Sequence, residues 1–123
     1  MTRTREVAIF VRRGDEFLVL HRSPENDAYW HVVAGGVEEG ESFAAAAARE
    51  LAEETGLVAD LLPLGRPFRY DAVDVDCYLA DAPADWEPEL DWEHDDYRWC
   101  TAAEGAAMLH WPEPADVLRG LAS

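Results

Sequence analysis

The sequence contains no lysine: its ten basic residues are all arginine, against 26 acidic residues, for a formal net charge of −16. Cationic contacts to phosphate supply most sequence-independent affinity for nucleic acid, so this balance argues against polymeric nucleic acid as a partner. Isoleucine occurs once and alanine is abundant, a bias that fits either genome composition or a salt-adapted surface. Cysteine is scarce: Cys77 and Cys100 stand alone with no C-x-x-C pair, and read as reduced thiols in or near the core. Long apolar runs are missing too. None approaches the roughly 18 residues that cross a bilayer, so a membrane is not expected as a partner. The opening stretch "MTRTREVAIFVRRGDEF" has charges on both sides of a short apolar run and no cleavage region after it. It reads as a strand, and a cytoplasmic location is the default expectation.

What is present is enough for a folded core. The chain has 123 residues, 49% of them hydrophobic, and no repeat or composition shift, so one domain over residues 1–123 is expected. "EVAIFVRR" and "EFLVLHR" are strand-length runs separated by Gly14-Asp15, the pattern of a β-hairpin. "YWHVV" (29–33) is a third strand candidate. Ser42 is a plausible N-cap for the helix-forming run "FAAAAARELAEET", and Gly56 stands where that helix would end. Ala44, Ala47, Ala48, Leu51 and Thr55 form the stripe expected to face the core. "AVDVDCYLA" alternates as a half-buried strand, and "DAPADWEPELDWEHDD" reads as an acidic loop. "YRWC" is a short strand, Thr101 and Glu104 make a capping box, and residues 113–122 read as a last helix. Strands and helices interleave, which gives an α/β class with a mixed sheet.

Residues 35–57, "GGVEEGESFAAAAARELAEETGL", carry six carboxylates and one arginine, a local net charge of −5. On a helix Glu50, Glu53 and Glu54 fall at i, i+3 and i+4, within about a 100° arc of one face. Like charges at that spacing destabilise a helix by about 0.2–0.5 kcal/mol per pair. A solvated face explains scattered glutamates but not a glycine-rich turn leading into a clustered acidic face. Hard divalent cations take oxygen ligands and bridge carboxylates to phosphates, and one bound here would relieve the repulsion.

The stretch resembles the signature of the Nudix hydrolases. Gly35, Glu41, Arg49, Glu50, Leu51, Glu53, Glu54, Gly56 and Leu57 fill every fixed position of that box at its spacing. The resemblance implies an α/β/α sandwich and hydrolysis of a pyrophosphate bond in a nucleoside diphosphate linked to some group X, with Mg²⁺ or Mn²⁺. It implies that Glu50, Glu53 and Glu54 hold the metal with help from the Ala34 or Gly35 carbonyl. Arg49 would pair with Glu41, brace the loop against the helix and orient Glu50. Many relatives have proline where this chain has Ala34, a departure that leaves the backbone carbonyl in place.

Outside the box, Arg22 resembles the basic residue that relatives direct at substrate phosphates, although a surface arginine is an equal reading. Tyr29, Trp30, Phe68 and Tyr70 are candidates to stack a base, with Trp30 and Tyr70 taken as substrate-binding; packing is the alternative for each. Family members often place a further glutamate before the strand "YRWC", as a metal ligand or as the base. Glu93 in "WEHDDYRW" is the best match, with Asp91, Asp95 and Asp96 as competitors. The proline of ADP-ribose hydrolases and the tyrosine of dinucleoside polyphosphate hydrolases would fall at Val73 to Val75, where neither occurs. The phrases "WHVVAGGVEEGES" and "WEHDDYRW" most resemble members that cleave nucleoside or pterin triphosphates, which implies a (deoxy)nucleoside or pterin triphosphate cleaved to monophosphate and pyrophosphate. A diadenosine polyphosphate or nucleotide-sugar hydrolase is the enzyme alternative, and a nucleotide sensor without turnover a third reading. A homodimer is compatible with the sequence.

Overall fold

Five consecutive residues of the first strand, Val7 to Val11, are buried on both faces. A strand covered on both sides reads as a continuous apolar run rather than an alternation, which is why "VAIFV" sits at the centre of the sheet. The structure, a computed structural model, describes residues 4–122. Its elements in chain order are β1 (Arg5–Arg13), β2 (Glu16–Arg22), β3 (Trp30–His31), β4 (Val33–Gly36), α1 (Phe43–Thr55), β5 (Leu62–Pro63), β6 (Phe68–Tyr70), β7 (Val73–Asp81), β8 (His94–Cys100), α2 (Ala102–Met108) and α3 (Pro112–Gly120). A 3₁₀ turn, Pro24–Asn26, follows β2.

β1 runs parallel to β7 from Arg5↔Asp74 to Arg12↔Asp81. It pairs antiparallel with β4 at its start and with β2 at its end. Gly14, at φ 63°, supplies the left-handed residue of the two-residue β1–β2 turn. Val7, Ile9 and Val11 pack under α1 with Ala46, Ala47 and Leu51. Ala8 and Phe10 point the other way, toward Ala106 of α2 and Val117 and Leu118 of α3. One helix on one face and two on the other make an α/β/α sandwich around a mixed sheet. Cys77 and Cys100 are free and buried.

The structure corrects several local expectations. "YWHVV" is not one strand: Trp30–His31 pairs with β2, and Val33–Gly36 pairs with β1. The inward face of α1 is Ala46, Ala47, Leu51, Glu54 and Thr55, whereas Ala44 and Ala48 are exposed. The helix is therefore rotated from the all-apolar stripe, and a glutamate occupies its buried face. β7 is half-buried only at its start; Tyr78 and Ala80 are buried under the α1 side while Cys77 and Leu79 fill the other. The last strand starts at His94 rather than Tyr97, so Asp95 and Asp96 belong to β8 and not to the acidic loop. Strands β5 and β6 were not legible as strands. No helix among the described residues is long and apolar enough to cross a membrane.

Candidate active site

The acidic box bends around Gly35. Ser42 Oγ accepts the Ala45 N–H at 3.1 Å and starts α1, and Gly56 at φ 80° ends it. α1 packs on β4, which brings the helix face onto the glycine-rich turn. A Cβ at Gly35 would collide with the carboxyl carbon and both oxygens of Glu50, none farther than 2.5 Å. Gly35 is thus a requirement of close approach rather than of backbone conformation.

Arg49 ties the box together. Its Nε and Nη2 donate to Glu41 Oε2 and Oε1 at 2.8 and 2.9 Å, a bidentate pair. Nη2 also donates to the Gly36 carbonyl at 2.9 Å, and Nη1 to Glu50 Oε1 at 2.8 Å. One planar fork so joins loop, strand and helix, which a lysine could not do. The guanidinium and the Glu38 N–H hold the Glu41 carboxyl down at about 2. Arg49 is raised in turn, first by Glu41 and then, against the effect of burial, by Glu50.

Glu54 lies beneath that surface, 3% exposed. Burial first, then the hydrogen bond and charge of Glu50, then the charge of Asp91 push its carboxyl far above the ordinary range, opposed by the Ala34 backbone. His94, equally buried, stands beside it: Nε2 is 3.8 Å from Glu54 Oε1, and Nδ1 is 2.8 Å from Asp91 Oδ1. His94 reaches this place through an irregularity in the β2–β8 ladder, where His21 pairs with Asp96 and Arg22 with His94. The skipped residue, Asp95, turns out to His21 Nδ1 at 2.6 Å.

Hard carboxylate donors on one helix face suit a divalent cation such as Mg²⁺ or Mn²⁺. The side chains as they stand do not enclose one: among the described residues no three acidic or histidine groups converge as a metal site. Glu50 is instead drawn to Arg49, and Glu53 is largely exposed, 3.4 Å from the same guanidinium. The donor chemistry of Glu50, Glu53 and Glu54 fits the ion.

The box opens into a cleft of about 510 Å³. Arg22, Tyr70, Glu93, Ala34, Glu50 and Glu53 all line it, as do Tyr29 and Phe68. Trp30 does not. It faces a second, shallow depression with His21, Asp95 and Asp96, packing edge-on against His21 at 4.9 Å. Strand alternation is the cause: Tyr29 and His31 share the cleft face, and Trp30 is between them. Asp95 and Asp96 are thereby separated from the box. Arg22 is steered by Nε donating to the Asn26 carbonyl at 2.9 Å and by lying 5.4 Å from the Tyr29 ring centre. The Glu93 carbonyl accepts the Ser23 N–H at 2.8 Å, which ties the acidic loop to the end of β2.

Sequence reasoning assigned no role to His31, His94 or Trp111, although His31 and Trp111 line the cleft and His94 backs Glu54. Period-two reading of "YWH" would have found His31; nothing local marks the other two. Burial, reinforced by Arg22, pushes the His31 imidazole down to about 4, so it is neutral at physiological pH.

A family model described as NUDIX domain matches residues 2–121. The chain is 37% identical over 107 residues to an octanoyltransferase of Myxococcus xanthus, a match covering 79% of this chain and 30% of that protein. It spans about 30% of the length of the first curated relatives it matches. Among solved structures, an Ap4A hydrolase binary complex from C. elegans superposes with a TM-score of 0.81 at 25% identity, covering 94% of this chain and 93% of that one. The E. coli dihydroneopterin triphosphate pyrophosphohydrolase superposes with a TM-score of 0.84 at 21% identity, covering 96% and 94%, a likeness of fold.

Proposed function

Because the chain belongs to the NUDIX domain family, we propose that it hydrolyses a pyrophosphate bond in a (deoxy)nucleoside or pterin triphosphate, leaving monophosphate and pyrophosphate. The observation that carries this reading is the Gly35–Glu50–Arg49 junction at the mouth of an aromatic-walled cleft. A volume of about 510 Å³ is in the range of sites that enclose one small ligand. A diadenosine polyphosphate, with two nucleosides, would leave one of them outside. A diadenosine polyphosphate, or a nucleotide sugar, is the alternative substrate, the first supported by the Ap4A hydrolase neighbour. A sensor without turnover would be expected to lose box glutamates, and all three are in place.

Bound Mg²⁺ or Mn²⁺ on Glu50, Glu53 and Glu54, with the Ala34 carbonyl, would neutralise phosphoryl charge and lower the pKa of the attacking water. The chain's own groups do the rest. Arg49, anchored on the Gly36 carbonyl, holds Glu50 at the turn. Arg22, the cleft guanidinium with no carboxylate partner among the described residues, donates to phosphate oxygens. Glu93 takes the proton from the attacking water: it lines the cleft, whereas Asp91 is committed to His94. Acyl transfer, the activity in the name of the Myxococcus relative, is not carried over, because the match covers 30% of that protein. Incubation with a panel of nucleoside and pterin triphosphates, dinucleoside polyphosphates and nucleotide sugars tests the proposal. Pyrophosphate release from triphosphates supports it, and turnover confined to the other classes refutes it.

A further inference from the structure

Glutamine is absent from the chain and asparagine occurs once, at Asn26, whose Nδ2 donates to Ser23 Oγ at 3.0 Å. Side-chain amides read adenine well because they set one donor and one acceptor against its amino group and ring nitrogen. This protein has no free amide side chain to bring into its cleft. Away from the box, and besides Glu93, the cleft offers two carboxylates, Glu6 on β1 and Glu113 in the first turn of α3, among the rings of Tyr29, Phe68, Tyr70 and Trp111.

The two carboxylates differ. Tyr70 Oη donates to Glu6 Oε1 at 2.6 Å, so Glu6 is fixed to the wall it shares with the tyrosine. Glu113 has no side-chain hydrogen bond or ion pair among the described residues. An ionised carboxylate only accepts, through two parallel oxygens. Its complement on a heterocycle is an N–H beside an NH₂, the 2-amino-4-oxopyrimidine edge shared by guanine and pterins. Adenine and cytosine place a ring-nitrogen lone pair beside the amino group. Thymine and uracil flank the N–H with carbonyls. Each of these sets a lone pair against a carboxylate oxygen.

A second observation points to a ligand in the same cleft. His31 Nδ1 is buried with no hydrogen-bond partner among the described residues. Buried polar atoms are paired in the great majority of cases, so an orphan in a cleft wall is a position completed by something bound. A neutral imidazole carries one donor and one acceptor, which suits the carbonyl and ring nitrogens elsewhere on such a heterocycle.

We propose that the distal part of the cleft reads a 2-amino-4-oxopyrimidine ring, stacked on its aromatic walls with the N–H/NH₂ edge on the Glu113 carboxylate. The inference rests on the triphosphate reading above and narrows its substrate to guanine nucleotides or pterin triphosphates.

The test is kcat/KM of the full chain with Mg²⁺ for GTP, 7,8-dihydroneopterin triphosphate, ITP and ATP. GTP or the pterin should exceed ATP by roughly 10-fold or more, the discrimination a bidentate base contact commonly gives. ITP, which keeps the N–H but lacks the amino group, should fall between, and the better of the first two identifies the source of the ring. In Glu113→Gln the GTP/ATP ratio should fall toward one through KM, with the melting temperature unchanged. A wild-type ratio near one overturns the inference, as does a ratio that survives Glu113→Gln or is lost only in Glu6→Gln. Calorimetric binding of GTP and ATP with Ca²⁺ in place of Mg²⁺ separates the two levels. GTP preference without turnover of any triphosphate refutes the hydrolytic reading alone; equal binding refutes base reading alone.

Discussion

Alanine at Gly35 should remove most turnover while leaving the fold nearly intact. Gly35 is not among the glycines at positive φ, so its backbone suits an L-residue. The added Cβ would occupy the place of the Glu50 carboxyl group, and that group is the far end of a flexible side chain. Glu50 therefore swings away and loses Arg49 Nη1, now at 2.8 Å, while Arg49 keeps both oxygens of Glu41 and the Gly36 carbonyl. A partly exposed ion pair contributes about 0.2–1 kcal/mol. The loss of glycine freedom in the unfolded chain offsets about 0.4–1 kcal/mol of that. The melting temperature should thus move by a few degrees at most, since about 1 kcal/mol corresponds to roughly 3–5 °C at this chain length. Displacing one preorganised carboxylate from the phosphate-facing side should lower kcat by roughly 10²–10³, the scale seen when one fixed electrostatic group is removed. Pyrophosphate release and a thermal melt, run on the same preparation, read both effects. Near-normal turnover would refute the role given to Glu50. A fall of more than about 10 °C would show instead that the clash is taken up by the backbone, outside the range worked out from the ion pair.

Other perturbations follow from the same geometry. Glu53→Gln keeps shape but removes an exposed charge, so kcat should collapse at millimolar Mg²⁺ with an unchanged melt; normal turnover would remove Glu53 from the metal face. Glu54 has a raised carboxyl, so the folded protein keeps a proton that the unfolded chain releases near 4.5. Without divalent ions, stability should therefore fall as pH rises above that value, by at most about 1.4 kcal/mol per unit, and Glu54→Gln should flatten the slope. An identical slope in the variant, followed by chemical denaturation, would refute the assignment. Arg49→Lys loses the bidentate hold on Glu41 and should lower activity far beyond its effect on stability; a parallel decline would make Arg49 structural only. Glu93→Gln should lower kcat by about 10²–10⁴ with Mn²⁺ affinity retained. Loss of Mn²⁺ affinity would make Glu93 a ligand, and unchanged kinetics beside a large loss in Asp91→Asn would transfer the role of base to Asp91.

The box was legible because its spacing and caps are local. Ser42, Gly56, Arg49 and Glu41 meet within one turn-helix unit, so a linear pattern implies their contacts. The rotation of α1 was not legible. The run Ala44 to Ala48 leaves apolar character uniform over the first half of the helix, and a buried glutamate outvoted Ala44 and Ala48 only because the sheet packs there. Trp30 was misplaced because the aromatic run was read by residue type, while the alternation of Tyr29 and His31 decided the face. His94 and Trp111 reach the site through a ladder irregularity and a helix start distant in sequence, contacts that only the assembled sheet creates.

The proposed activity is divalent-dependent cleavage between the α- and β-phosphates. Phosphorus NMR of GTP incubated with the protein and Mg²⁺, with and without chelator, distinguishes it from other phosphohydrolase reactions. GMP and pyrophosphate are expected as the only products, formed with Mg²⁺ and not with chelator. Release of GDP and orthophosphate, or turnover that the chelator leaves unchanged, would contradict it.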